Sequence, residues 1–561
     1  MIKDYIKVLL AVLGVVLIRS IVGLDNYQAG IDDSNIYFVY VRNVIEGHGF
    51  VYNIGGPRVE GFTSFLWTLI LTFIYALRFL PFEQTLLVLC FLITTLTVFG
   101  YFRFIKSKLS ETKAWYFTAF ILLIPGFIDW NVFTMMDLCL WILATSWAII
   151  LLLNNKHRRL FFIITILLPF IRPEGIAVSL ILFAAKVLKD YAGGDSFLHS
   201  VKRNGFLLLA VILSITLLTV FRLNYFGYPF PNTFYAKVSM SMADNIRMAF
   251  FYFYDALRHT SFVPFVLFLT CIIWIFNRKR FLNWRSHIDQ IILLLIILFF
   301  IGYPFLTGGD HFKYSRFYQP VFPFIGLLFL LSYGPGLNFR RTSIIAAAVV
   351  TLILLNFNST NDASLRESFS SAARGYFSEL KPDLISHSQL QSEFDIASNG
   401  RQLAGHMNKM MSGCPVKPNY GVIAAGGIGY VYEGQTIDLM GLNNPEMAHA
   451  DKIKTKGVKN HGSFNKQVFY KQQVDIFLTW PDPLEEELVQ DDSSAMEFLK
   501  KLRDPQYFIN RVCSGIFNDV EFNSLYKFAR ISGQGLHVYG FIDPVEFREN
   551  FPCLQVSVLE P

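Results

Sequence analysis

The segment Gly30–Asn53, GIDDSNIYFVYVRNVIEGHGFVYN, places two adjacent carboxylates, Asp32 and Asp33, just after an apolar run. An aromatic, amphipathic stretch follows at once, and its pattern predicts a helix over 34–46. Either acid can cap that helix and favour its dipole. Alternatively, an acid pair at the mouth of a membrane span can accept a proton from a substrate. The composition and the other motifs of the chain bear on this choice.

The composition is that of a polytopic α-helical membrane protein. Of 561 residues, 53% are hydrophobic and 16% are charged, against about a quarter charged in soluble domains. The mean hydropathy is +0.41. The apolar runs stop near Asn356, and the polarity of the remaining residues is ordinary. We therefore expect a transmembrane domain over 1–356 and a soluble α/β domain over 357–561.

In the C-terminal domain, three segments have the composition of β-strands and one has that of a helix. The strands are predicted within 420–432, 435–440 and 473–480, and the helix within 493–503. Such a domain can bind an acceptor glycan, although its aromatic residues fit a hydrophobic core equally well.

The chain has a net charge of +7, and many of its basic residues lie in short loops between apolar runs. Because the basic residues do not form one continuous surface, the pattern argues against nucleic-acid binding. Short basic loops mark the cytoplasmic side of a membrane. The clusters are Arg103–Lys113, Lys156–Arg159, Lys186–Arg203, Arg278–Arg285 and Arg340–Arg341.

The basic loops also set the number of spans. The N-terminal segment 1–24 has a basic start and no small-residue cleavage site, so we interpret it as a retained anchor with a cytoplasmic N-terminus. If every later apolar segment crosses the membrane, the first basic cluster lies on the outer side. If 62–80 is instead a juxtamembrane or re-entrant helix, all basic clusters lie on the cytoplasmic side. This predicts about eleven transmembrane helices in a bacterial inner (plasma) membrane and an extracytoplasmic C-terminal domain. The other predicted spans are 85–102, 114–127, 138–153, 160–171, 175–187, 205–221, 261–276, 290–306, 317–333 and 343–356.

The outward connectors hold most of the unusual polar residues of the membrane half. Loops of this kind on one face predict a site at the outer membrane surface. A carboxylate there can deprotonate an attacking hydroxyl, and Arg, Lys or His can hold a phosphate leaving group, which fits a lipid-linked sugar donor. The chain has no Walker A, dinucleotide, HExxH or CxxC motif. We predict no cofactor and no metal site, and leave a divalent cation open. The connectors are 25–60, 128–137, 172–174, 222–258 and 307–316.

Motifs in these connectors, taken in order, resemble the GT-C glycosyltransferases, the polytopic class that uses polyprenyl-phosphate sugars. Within that class the chain is most similar to the family of the mycobacterial terminal arabinofuranosyltransferase and its bacterial relatives. The motifs are DDSNIYFVYVRNVIEGHGFVYN at 32–53, RVEGFTSFLW at 58–67, FTMMD at 133–137, RPEG at 172–175, YFGYPFPNTFYAK at 225–237, GGDHFKYSRFYQP at 308–320 and AAGGIGYVYEGQTIDLMGLNNPEMA at 424–448.

The resemblance implies catalysis by the acid pair, because GT-C proteins carry their catalytic acid in the first outer loop. We predict Asp32 as the base and Asp33 as the residue that orients it. The family's small-Gly-Met-Glu-Thr run is replaced here by Thr134–Asp137, which retains an acid but shortens it. In the outer domain, the resemblance implies that Asp438 lies in a surface loop and that His461 corresponds to the family's histidine.

The remaining candidate residues divide into two groups. The predicted donor-phosphate group is His311, Lys313, Arg316, Arg172 and Lys237. The alternative for the residues near 311–316 is a basic membrane-interface anchor, and for Arg172 it is an ion pair with Glu174 at a helix break. The predicted substrate-positioning group is Arg58, Glu60, Glu174, Asn232, Asp310 and Asp137, in which Asn232 can order its loop as an Asx turn.

The six cysteines fall into two sets. Cys414, Cys513 and Cys553 lie on the predicted oxidising side, which permits one disulfide whose pairing the sequence leaves open. Cys90, Cys139 and Cys271 lie in predicted spans, where core packing explains them.

The predicted function is transfer of a sugar, arabinofuranose or mannose-like, from a polyprenyl-phosphate donor to a cell-envelope glycan, lipid or protein. A transporter or flippase of a lipid-linked substrate would show internal repeats and charges at mid-span, and neither is seen. A non-catalytic GT-C-like envelope assembly protein, and a transferase of another group such as phosphoethanolamine, remain open.

Overall fold

The computed structural model describes residues 1–22, 24–78, 80–259, 263–276, 283–333, 390–450, 461–477 and 492–559. The chain forms two compact units, each built from separated segments. The helical unit comprises Met1–Leu24, Leu86–Val220 and Asn245–Leu390, and the mixed unit comprises Asp25–Thr85, Phe221–Asp244 and Gln391–Pro561. The predicted span 343–356, the predicted boundary after 356 and the basic residues at 278–280 and 340–341 lie outside the described residues.

The described part of the first 333 residues is mainly helical. Their apolar runs, interrupted by Gly, Pro and basic loops, leave the backbone no partner but itself. The helices are α1 Ile2–Val22, α2 Asp32–Ile45, α3 Phe65–Ala76, α4 Phe82–Lys108, α5 Glu111–Leu122, α6 Leu138–Asn154, α7 Arg158–Ile171, α8 Gly175–Ala192, α9 Phe197–Tyr225, α10 Asn232–Lys237, α11 Met242–His259, α12 Val263–Ile275, α13 Ile288–Thr307 and α14 Val321–Tyr333.

Among the described residues, three helices are long and apolar enough to cross a membrane: Phe82–Lys108, Phe197–Tyr225 and Trp284–Thr307. They contain the predicted spans 85–102, 205–221 and 290–306. Helix α9 exposes a continuous apolar face, as expected of a helix in contact with lipid; its exposed residues include Phe206, Leu209, Leu213 and Leu217. The 12-residue α3 is shorter than the roughly 20 residues that a crossing requires. The count of eleven spans stays a prediction.

The C-terminal part of the mixed unit is an α/β fold around one sheet. Its elements are α15 Gln391–Met410, β1 Tyr420–Val422, α16 Gly426–Val431, β2 Thr436–Asp438, α17 Pro445–Ala450, α18 Lys466–Phe469, β3 Ile476–Phe477, α19 Asp492–Arg503, α20 Phe508–Val512, α21 Val520–Leu525, β4 Lys527–Gly533, β5 Leu536–Ile542, α22 Pro544–Asn550 and β6 Gln555–Val558. The strand order is β2-β1-β3-β5-β4-β6. β1 pairs in parallel with β2 and β3, whereas β5 and β6 pair antiparallel with β4.

These elements correct the strand prediction at one point. The strand predicted within 420–432 ends at Val422, and its glycine-rich half forms helix α16 instead. The strands within 435–440 and 473–480 and the helix within 493–503 are confirmed where they are described. The antiparallel β4–β5 hairpin was not predicted.

Phenylalanine rings form much of the core on one face of the sheet. Phe477 stacks on Phe517 with ring centroids 5.6 Å apart, and Phe522 lies 5.2 Å from Phe541. A disulfide joins Cys414 to Cys553 across a separation of 139 residues. Cys513 is a free, buried thiol, so the structure resolves the pairing that the sequence left open.

Candidate functional site

The acid pair lies in the first turn of α2 and does not cap it. The N-cap position is occupied by Ile31, which makes no side-chain cap hydrogen bond. The turn is instead tied from Asn35, whose Nδ2 donates to the carbonyl oxygens of Ala29 and Ile31 at 2.9 and 2.8 Å. Capping by Asp32 or Asp33, one of the two sequence interpretations, is therefore wrong, although acids in a first turn still favour the helix dipole.

Asp32 holds the glycine-rich start of α16. The backbone N–H groups of Gly426 and Gly427 donate to its Oδ2 and Oδ1 at 2.9 and 2.8 Å. Burial raises the pKa of Asp32 to about 6, against the lowering effect of the two N–H donors. A Cβ on Gly426 would stand 1.8 Å from the Asp32 carbonyl oxygen, so this approach requires glycine.

Asp33 faces a lysine from another outward connector. Lys237 Nζ, in α10, lies 3.3 Å from Asp33 Oδ2, and both side chains are about one-fifth exposed (17% and 19%). The structure thus brings together two predicted residues that are 204 positions apart. A partly exposed carboxylate beside an ammonium group can exchange a proton with a bound hydroxyl.

The Asp438 loop is buried, which corrects its predicted place in a surface loop. Asp438 is 2% exposed and accepts hydrogen bonds from the N–H groups of Met440, Gly441 and Asn443, and from Asn443 Nδ2. Burial raises its pKa to about 6. Asn443 in turn accepts a hydrogen bond from Tyr40 of α2 at 3.1 Å. These contacts give Asp438 the role of shaping its loop.

The predicted positioning residues of the mixed unit contact other side chains or loop carbonyls. Glu60 is buried and forms a bidentate ion pair with Arg222, with both N–O distances 2.8 Å. Asn232 donates from Nδ2 to the carbonyls of Gly441 and Leu442, so it bridges two loops and does not form the predicted Asx turn. The Arg58 guanidinium lies 4.6 Å from the ring centroid of Tyr225.

Further along, His461 lies beside Phe508 with ring centroids 5.6 Å apart. In the same unit the ring of His449 lies between Tyr228 and Tyr235, at 4.2 and 4.3 Å. The sequence did not single out His449.

A second polar cluster lies within the helical unit, where α7 ends and α8 begins. Arg172 Nη1 donates to Asp137 Oδ2 at 2.9 Å and Arg172 Nε to Glu174 Oε1 at 2.5 Å. Tyr303 of α13 donates to the other oxygen of Glu174 at 3.3 Å. The predicted local ion pair of Arg172 with Glu174 is therefore present, and Asp137 extends it across 35 positions.

The GGDH loop forms the other half of this cluster. Arg316 is ion-paired with Asp310, which also accepts a hydrogen bond from the His311 backbone N–H at 2.8 Å. The Arg316 guanidinium lies 4.6 Å from the Phe312 ring centroid. Lys313 is exposed, and its carbonyl accepts a hydrogen bond from Trp130 Nε1 at 3.1 Å.

Phe317 joins the two halves. The guanidinium carbons of Arg172 and Arg316 lie 5.6 and 5.4 Å from its ring centroid. Both arginines are buried, at 5% and 7% exposed. The structure therefore brings Arg172, Arg316, Asp137, Glu174, Asp310 and His311 into one cluster of the helical unit, where guanidinium charges stand among carboxylates and aromatic rings.

The sequence analysis missed an ion pair and a glutamine that join segments of the helical unit. Arg19 of α1 binds Asp129 bidentately, with two N–O distances of 2.8 Å. Gln319 Nε2 donates to the carbonyls of Pro125 and Tyr314 and so ties the segment that follows α5 to the fifth connector. Arg19 lies in an apolar run 110 positions from Asp129, and only the isolated charge in that run signalled a partner.

Among the described residues, no group of three or more His, Cys, Asp or Glu side chains could hold a metal ion. The prediction that the protein uses no cofactor is not tested by this observation.

The fold is similar to those of ArnT and of an oligosaccharyltransferase, which agrees with the fold class predicted from the sequence. The crystal structure of ArnT from Cupriavidus metallidurans in the apo state matches with a TM-score of 0.51 at 14% identity, over 96% of this chain and 98% of that one. The apo Archaeoglobus fulgidus oligosaccharyltransferase matches with a TM-score of 0.50 at 10% identity, over 96% and 74%. ArnT bound to undecaprenyl phosphate gives 0.49 at 13% identity, over 80% and 88%.

Sequence comparisons add one match. Residues 372–535 match a family described as a domain of unknown function (DUF8728). No curated protein shows significant sequence similarity to the chain. The three long apolar helices and the apolar composition support a membrane protein. The similarity to the arabinofuranosyltransferase family, the inner-membrane location and the orientation stay predictions.

Proposed function

We propose that this protein is a membrane glycosyltransferase that moves a sugar from a polyprenyl-phosphate donor to a hydroxyl of a cell-envelope glycan, lipid or protein. The acid pair of α2, with Lys237 beside it, is the observation that carries the proposal. The fold shared with ArnT and with an oligosaccharyltransferase supports it. ArnT has also been crystallised with undecaprenyl phosphate. We place the reaction at the outer face of a bacterial inner membrane, with arabinofuranose or a mannose-like sugar as the donor group.

The reaction needs one base and one anion-binding group. The acceptor hydroxyl attacks the anomeric carbon, the bond from that carbon to the phosphate oxygen breaks, and polyprenyl phosphate leaves with the bonding electrons. The hydroxyl proton passes to a carboxylate. Arginine suits the leaving phosphate because its donors match two oxygens at once.

Within the acid pair, the contacts favour Asp33 as the base. Both oxygens of Asp32 already accept a backbone N–H, and its loss would release α16 from α2. Asp33 lies 3.3 Å from Lys237 Nζ, and this ammonium group can stabilise the ionised form of Asp33. Asp32 then positions the turn that presents Asp33. This reverses the two roles predicted from the sequence.

The donor phosphate is assigned to the Arg172–Arg316 cluster. Two buried guanidiniums share the Phe317 ring, and Lys313 lies exposed on the same loop as Arg316. Each arginine is ion-paired, so the phosphate has to replace a carboxylate rather than add to an unpaired cation.

The test is turnover of a polyprenyl-phosphate sugar by the detergent-purified full chain, read as release of polyprenyl phosphate. We expect Asp33→Asn to lower turnover about 10²- to 10⁴-fold with donor binding retained. The matched control is Asp25→Asn, which removes an exposed carboxylate from the same connector. Mass spectrometry of the co-purified lipid identifies the donor class.

Two outcomes contradict the proposal. Wild-type turnover in a monodisperse Asp33→Asn variant removes the base assignment. A protein that binds no polyprenyl-phosphate lipid, alone or in native membranes, removes the donor assignment.

A second candidate is a non-catalytic GT-C-like envelope assembly protein. The observation that favours it is the pairing of both cluster arginines with carboxylates. The altered run Thr134–Asp137 points the same way, because the acid that remains is engaged by Arg172. This candidate predicts that neither Asp33→Asn nor Arg316→Ala changes any lipid-dependent activity.

A further inference from the structure

Helix α11 has two faces of different character. The face toward the protein carries buried Asn245, Ala249, Tyr252 and Ala256, at helical spacing. The opposite face is apolar and exposed, with Phe250 and Tyr254 at 61% and 64%. Its other exposed large apolar residues are Met242, Ile246 and Phe251. An exposed apolar stripe of this length requires an occupant.

The buried face contacts the end of a membrane-length helix and the loop after it. Asn245 Nδ2 donates to the Leu306 carbonyl at 3.1 Å, and at the edge of this face the ring centroid of Phe253 lies 6.3 Å from that of Phe305. Farther along α11, Tyr252 accepts a hydrogen bond from the Phe317 N–H at 3.0 Å. About two turns of α11 therefore meet residues that follow one another at a single end of α13.

This placement fixes the depth of α11. Helix α13 has 20 residues, which is about the thickness of a bilayer core, and its end at Thr307 therefore lies near one membrane surface. A helix that ran alongside α13 would touch successive turns down its length. The contacts of Asn245 and Tyr252, two turns apart, both lie at this end or in the loop after it, so this part of α11 crosses that end.

We propose that α11 lies flat in the membrane–water interface, with its apolar stripe on phospholipid and its buried face against the Arg316 loop. The charges fit this arrangement: Asp244, Arg247 and Asp255 are unsuited to a span, and exposed Arg247 can meet lipid phosphate. Aromatic residues such as Phe250 and Tyr254 favour the headgroup level. The neighbouring α12 continues the lipid-facing surface, with exposed Leu269 and Ile273.

The test is spin-label depth measurement on the full chain in phospholipid bilayers, comparing collisions with oxygen and with a water-soluble nickel chelate. Labels are placed at exposed positions along α11 through Ala243→Cys, Arg247→Cys, Phe250→Cys and Tyr254→Cys. Labelling is selective because every native cysteine is buried or disulfide-bonded. Leu213→Cys on α9 is the lipid control, and Lys501→Cys on α19 is the water control.

We expect the four positions to report one shallow depth, between those of the two controls. Positions 243 and 254 are about 16 Å apart along the helix, so a spanning helix would show a steady change in depth of that order. Such a gradient overturns the proposal. Nickel accessibility equal to that of Lys501→Cys, or protection from both reagents, also overturns it, since it places water or protein on the stripe. None of these outcomes depends on glycosyl transfer.

Discussion

Replacing Asp32 by asparagine is the sharpest test of the contact between α2 and α16. The carboxylate accepts one N–H bond on each oxygen, from Gly427 at 2.8 Å and from Gly426 at 2.9 Å. Asparagine offers one acceptor oxygen, and its NH₂ group would face the second N–H donor. The substitution is nearly isosteric, so it removes a hydrogen bond without opening a cavity.

The expected cost follows from those two bonds. Loss of one bond to a charged acceptor costs about 1.5–3 kcal/mol, and a buried N–H left without a partner adds about 1–3 kcal/mol. We expect Asp32→Asn to destabilise the protein by about 2.5–6 kcal/mol. This is large beside a typical total stability of about 5–15 kcal/mol.

The assay is thermal unfolding in detergent, followed by intrinsic fluorescence and by protection from proteolysis. Asp25→Asn should unfold at the wild-type temperature. Gly426→Ala should disrupt the same contact through α16, because the added Cβ would lie 1.8 Å from the Asp32 carbonyl oxygen. Gly405→Ala is its control, since a Cβ there meets nothing within 4 Å.

The Asp32→Asn and Gly426→Ala effects should not add, because both variants break one contact. An Asp32→Asn protein with wild-type stability would refute this reasoning and return Asp32 to the role of base. A large loss of turnover without loss of stability would do the same.

Three further outcomes are expected from the structure. Cys414→Ser, which opens the disulfide to Cys553, should lower the stability by about 2–5 kcal/mol, and reductant should lower the unfolding temperature of the wild type only. The pKa of Asp438 is raised from 3.8 to about 6 in the folded protein, so between these values the folded protein keeps a proton that the unfolded chain releases. The stability that comes from this proton is lost as the pH rises through about 6. The free energy of unfolding that Asp438→Asn loses relative to the wild type should therefore be about 1 kcal/mol larger at pH 5 than at pH 7.5. Arg172→Ala should mainly destabilise the protein, because it strands two buried carboxylates, whereas Arg316→Ala should mainly weaken donor binding, measured with a polyprenyl-phosphate lipid.

The sequence predicted the helices better than the contacts between them. Apolar length and flanking charges locate helices such as α9, because both signals are local. The strand prediction for the glycine-rich half of 420–432 was wrong because the structure of that half depends on contacts with residues distant in sequence. Its apolar content suggested a strand. However, Gly426, Gly427 and Gly429 have no side chain, so atoms of residues distant in sequence, including Asp32 and the Tyr52 hydroxyl, can approach their backbone closely. A strand pattern does not report such approaches.

The sequence predicted several individual residues of the site, but it did not predict which of them contact each other. The acid pair and Lys237 were named, but their proximity spans 204 positions of sequence. Asp129 falls in the predicted connector 128–137, while its partner Arg19 was counted as part of an anchor. Ion pairs between elements depend on how those elements pack, and a single sequence contains no direct record of that packing.

Charge balance limits what the Arg172–Arg316 cluster can bind. With His311 neutral, two guanidiniums face the carboxylates of Asp137, Glu174 and Asp310, which leaves one negative charge. A phosphodiester adds another, so it has to exchange with a carboxylate on one arginine. Arg172 is held from two sides. Arg316 has its partner on its own loop, which contains four residues with positive φ: Gly308, Gly309, Tyr314 and Ser315. Because a loop can rearrange at lower cost than two packed helix ends, the exchange is expected at Arg316.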